Sequence, residues 1–140
     1  MLLSRLGENG VAKRIVTASI YTCACLPIGH VLAAYYAAQS YTGRVVVMSA
    51  RIAVVGCVVL AAACFVALVR SSYGVVLGIV GASLCWPYFG ALAAHPQRII
   101  NLTEFFYGWT ELWSIGGLFA ASAYSLWQLW AIVRHSKAPP

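Results

Sequence analysis

Residues 45–69 read VVVMSARIAVVGCVVLAAACFVALV, and a single charge, Arg51, interrupts a run that is otherwise apolar or small. A helix rises 1.5 Å per residue, so about 20 such residues cross the ~30 Å hydrocarbon layer of a bilayer. The run predicts a transmembrane helix. Turn signals bound it on both sides: Thr42-Gly43 precedes it, and Arg70-Ser71-Ser72-Tyr73-Gly74 follows. Beyond those turns lie Ile15 to Ala38 and Val75 to Ala94, each long enough to span. After the break at His95-Pro96-Gln97-Arg98, an aromatic, amphipathic stretch leads into Leu112 to Val133. The expected spans are therefore 15–38, 45–69, 75–94 and 105–133. Together they make residues 1–140 one transmembrane domain, an all-α integral membrane four-helix bundle. The first run is too long for a cleaved signal peptide, so it is expected to stay as a span.

Composition agrees. The chain is 62% hydrophobic and 9% charged, where a soluble domain carries about 25% charged residues. So few charges do not cover a folded surface in water. Lipid as the solvent removes that requirement. No Asp is present, and the acids are Glu8, Glu104 and Glu111. Nine Lys and Arg against these three acids give a net charge of +6. The basic residues sit at segment ends, which fits topology signals and headgroup contacts and not a nucleic-acid surface.

Their distribution predicts orientation. Arg5, Lys13, Arg14, Arg70, Arg134 and Lys137 fall on one side of the expected bundle, and Arg44, Arg51 and Arg98 on the other. Positive residues favour the cytoplasmic or matrix side, so both termini are expected there. The basic, acid-poor N-terminus and the cysteine usage favour a mitochondrial over a bacterial inner membrane.

Small residues recur at four-residue spacing in Ala53-Cys57-Ala61, Gly74-Gly78-Ala82 and Gly117-Ala121-Ser125. Such stripes let helix backbones approach closely. There is also a weak internal likeness. Cys25-Leu26-Pro27 through Leu32-Ala33-Ala34 aligns without a gap on Cys85-Trp86-Pro87 through Leu92-Ala93-Ala94. The same register sets Arg44 on Glu104 and Arg51 on Glu111. Two pseudo-repeated helical hairpins are one organisation this permits.

The charges suggest a structural role. Arg44 and Arg51 are seven residues apart, as are Glu104 and Glu111, so each pair shares one helix face. Arg44 or Arg51 is expected to pair with Glu104 or Glu111. The competing reading for Arg51 is snorkelling to the headgroups.

Candidate chemistry is sparse. His30, three residues after Pro27, reads as a haem axial ligand with His95 as partner, or as a donor to a backbone carbonyl freed by the proline. The first of these is the cofactor reading, haem b. Pro27 and Pro87 are expected to kink their helices. Phe105, Phe106, Tyr107, Trp109 and Trp113 form an aromatic belt at one membrane edge, or alternatively a quinone groove. Asn101-Leu102-Thr103 is a glycosylation sequon, but with Glu104 it also reads as a helix cap. The five cysteines, Cys23, Cys25, Cys57, Cys64 and Cys85, lack zinc-site spacing and are expected to pack as small hydrophobes.

The expected function is a non-catalytic accessory or structural subunit of a multi-subunit membrane complex, such as a respiratory one. Its partners would be other membrane subunits and lipids, with no nucleic acid and no resident cofactor. The alternatives are a small transporter or channel subunit, and a haem- or quinone-binding anchor.

Overall fold

The computed structural model describes residues 10–94 and 105–137, and they form four helices and no strand. These are α1 (Gly10–Thr42), α2 (Met48–Val69), α3 (Ser71–Ala93) and α4 (Phe105–Ser136). The first three are each long and apolar enough to cross a membrane. The chain is an integral, multi-pass membrane protein. α4 is less uniformly apolar, and it packs along α1, with Ser125 on Tyr21 and Gly117 on Ala24.

Two contrasting turns set the hairpins. α1 stops at Gly43, whose φ of 67° is a left-handed conformation natural to glycine. The Arg44 N–H donates back to the Gln39 carbonyl at 3.1 Å, closing a Schellman-type end. The Val47 N–H then donates to the Tyr35 hydroxyl at 3.2 Å, tying the connection to α1. Between α2 and α3 the only non-helical residue is Arg70, in an extended conformation. Its N–H donates to Val66 and its carbonyl accepts from Gly74. So tight a reversal brings Gly74 onto Ala67, where a Cβ would lie 2.5 Å from the alanine Cβ.

Contacts along the helices define an antiparallel, up-down-up-down bundle. Cys25 meets Cys57 and Thr22 meets Cys64 between α1 and α2. Cys85 meets Ala53 between α2 and α3. In cyclic order each helix touches its neighbours, α1 and α3 touch across the short diagonal, and among the described residues α2 and α4 do not touch. The start of α1, Arg70 and the end of α4 therefore lie at one end of the bundle, with Arg44 and Arg51 at the other.

Backbone proximity holds α2 to α3. A Cβ on Gly56 would sit 2.7 Å from the Gly81 carbonyl oxygen, and one on Gly81 would sit 2.9 Å from that of Gly56. Gly78 leaves the slot into which the Tyr21 ring of α1 fits. Around this core, large apolar side chains face outward: Phe65 is 74% exposed, and Trp113 and Phe119 are each 67% exposed. In water such a surface would associate; against acyl chains it is the ordinary exterior.

The proline alignment and the packing differ in register. Tyr21, Ala24, Ile28 and Leu32 line the buried face of α1, and Gly78, Gly81, Cys85 and Phe89 that of α3. These sets correspond three residues out of register with the alignment of Pro27 on Pro87. Three residues are about 300° of helix, equivalent to about 60° about the axis, so the two buried faces are turned by only about a sixth of a turn relative to that alignment. α1 and α3 both continue through their prolines.

Replacing Gly56 by Val should lower the thermal stability of the detergent-solubilised protein by about 1–3 kcal/mol, because backbone must move to admit the side chain. Gly116→Val, at a position with no neighbour within 4 Å, should leave the melting temperature unchanged. Equal losses in the two variants would show that the Gly56–Gly81 crossing is not what holds α2 to α3.

Candidate functional site

The expected charge pair does not form among the described residues. Arg44 and Arg51 are exposed, and Glu111 lies on α4, which does not touch α2. The physical reason is topological: in an antiparallel square, the second and fourth helices are diagonal, and here the other diagonal is the closed one. One carboxylate oxygen of Glu111 is buried without a hydrogen-bond partner. Glu104 lies outside the described residues, as do His95, Arg98 and the Asn101 sequon.

His30 sits on the outer face of α1, exposed. The carbonyl that Pro27 deprives of its usual donor, that of Cys23, faces Gly117 of α4, where a Cβ would lie 3.4 Å away. α4 covers that carbonyl, and His30 does not reach it. No group of three or more metal-ligating side chains occurs among the described residues.

What the structure does bring together is a polar seam between α4 and its two neighbours. Thr17 donates to the Lys13 carbonyl at 2.7 Å, which leaves its oxygen to accept from the Tyr124 hydroxyl, also at 2.7 Å. The hydroxyls of Tyr21 and Ser125, both fully buried, are 2.6 Å apart. Trp86 Nε1 donates to Ser122 at 2.9 Å, and Ser122 donates to the Leu118 carbonyl. In a low-dielectric interior such bonds fix which faces meet, because an unmatched hydroxyl there is costly. The signal was present in the sequence, since Ser114, Ala121, Ser125 and Gln128 share one face of α4. Their partners on α1 and α3 required the tertiary arrangement.

A second cluster lies between α1 and α2. The Cys25 and Cys57 sulfurs are 3.7 Å apart. Each thiol also points at the other's backbone carbonyl, Cys25 Sγ to Cys57 O at 3.6 Å and Cys57 Sγ to Cys25 O at 3.7 Å. Sequence spacing gave no hint of this, because thiols 32 residues apart meet only once the hairpin closes. Beside Cys57 a groove of about 350 Å³ opens outward, walled by Gly29, Ala33, Tyr36, Val54 and Val58.

A third feature is a groove of about 440 Å³ along α4, lined by Cys23, Trp113, Gly116, Gly117 and Ala120. Gly117 packs on Ala24, but Gly116 looks into open space. At the end of α4, the Arg134 guanidinium lies 5.1 Å over the Trp130 ring, an interfacial anchor pairing.

Tyr21→Phe should cost only about 0.6–1.7 kcal/mol, the range for hydrogen bonds between membrane helices. Tyr21→Ala should cost about 3–5 kcal/mol by emptying the slot beside Gly78. Thermal denaturation of both variants tests this; a larger loss in the Phe variant would overturn the ranking of packing above hydrogen bonding.

No protein-family model matches the chain, and no curated protein or solved structure is similar to it, so only its own residues speak for its function.

Proposed function

We propose that the chain is a non-catalytic accessory subunit of a multi-subunit membrane complex, and that a helix of a neighbouring subunit lies in the groove along α4. The observation carrying this reading is Gly116. Internal packing accounts for Gly56, Gly74, Gly78 and Gly81, each of which would clash if given a side chain. Gly116 would meet nothing within 4 Å. It stands in an outward-facing row with Ala120 and Ala123, floored by the groove and flanked by Trp113. Lipid tails give apolar helices no solvent-driven reason to associate, so small residues that permit close contact mark where they do.

The basic, acid-poor N-terminus and the cysteine usage favour the mitochondrial inner membrane, with a respiratory complex as the host. Lys13, Arg14, Arg70, Arg134 and Lys137 belong to one end of the bundle, which the positive-inside tendency assigns to the matrix side.

In a mild detergent extract, the chain should migrate on a native gel with a large assembly whose other subunits mass spectrometry identifies. Gly116→Leu should release it to low mass while its own melting temperature is unchanged. A homogeneous small oligomer that binds a solute would overturn the accessory reading in favour of a transporter.

A further inference from the structure

We infer that Cys25 and Cys57 are a redox-active dithiol, closed to a disulfide by a lipid-dissolved quinone that enters the groove between α1 and α2. Three observations converge on it. The sulfurs are 3.7 Å apart, where a disulfide needs about 2.05 Å. The backbones are close enough for each sulfur to reach the opposite carbonyl. And Cys57 forms part of the wall of the outward-opening groove.

Depth decides the class of oxidant. Cys25 lies near the middle of α1 and Cys57 near the middle of α2, so the pair sits at the core of the hydrocarbon layer. Water-soluble disulfides and other charged oxidants do not partition there. The groove walls are apolar apart from the Tyr36 hydroxyl, and the volume is that of a site for one small ring compound. A quinone is apolar, dissolves in lipid and accepts two electrons. In the reaction both S–H bonds break and one S–S bond forms. The two electrons and two protons pass to the quinone, whose two carbonyl oxygens become the hydroxyls of a hydroquinone. Cys57 meets the quinone, and Cys25, set behind it, resolves the pair. The closed bond links α1 covalently to α2.

The full chain, reduced and reconstituted in lipid nanodiscs, is treated with a fully substituted short-chain benzoquinone. Free thiols are then counted by maleimide mass-tagging after denaturation. Five should label before treatment and three after it, with a Cys25–Cys57 peptide link and an equal amount of hydroquinone by absorbance. Cys25→Ser and Cys57→Ser should each keep four free thiols throughout, whereas Cys85→Ser should fall from four to two. Ala33→Trp and Val58→Trp, on the exposed groove walls, should slow the quinone reaction about tenfold by obstructing the site, while molecular iodine still closes the bond. Five thiols persisting, a link through another cysteine, a stable quinone adduct, or an unchanged rate in both Trp variants would each overturn the proposal.

Discussion

Helices in lipid have no hydrophobic effect to press them together, so this bundle depends on how closely two backbones approach at Gly56 and Gly81. Each glycine stands where a side chain would strike the other's carbonyl. At that separation many weak dispersion contacts act along both helices at once. The remaining architecture is built on the pair. Leu60 and Cys85 fill in beside the crossing, Tyr21 of α1 lies in the slot at Gly78, and α4 then closes over Tyr21.

Polarity is distributed inversely to that of a water-soluble bundle. The hydroxyls of Thr17, Tyr21, Ser122 and Ser125 lie between helices, while Phe65, Trp113, Phe119, Trp127 and Trp130 face outward. The two arrangements divide the work. Glycine contacts are non-directional and tolerate sliding, whereas the bonds Thr17–Tyr124, Tyr21–Ser125 and Trp86–Ser122 are directional and fix the register of α4. Thr17 and Ser122 suit this role because each also donates to its own helix, so neither hydroxyl is stranded when its partner moves.

Much of this was legible in the sequence, for reasons of scale. Apolar runs report length against bilayer thickness, so α1, α2 and α3 were readable to within a few residues, as were the turns at Gly43 and Arg70. The small-residue stripe Gly74-Gly78-Ala82 proved to be the buried face of α3, and Ala121 and Ser125 are buried on α4. On α2 the expected stripe of Ala53, Cys57 and Ala61 was partly displaced, since Gly56, Leu60 and Ala63 take the core. With apolar residues all round a helix, periodicity has no contrast by which to choose a face. The same blindness hid the thiol contact. It also concealed that Arg51 and Glu111 lie on helices that the topology sets diagonally.

The single residue between α2 and α3 has a consequence for folding. A reversal through Arg70 alone leaves almost no chain entropy to lose on closure, and the contacts it brings together, Gly74 with Ala67 and Gly81 with Gly56, are close in sequence. Local contacts of this kind form early and fast. Closing the α2–α3 hairpin therefore asks less ordering of connecting chain than any other helix pairing in the bundle.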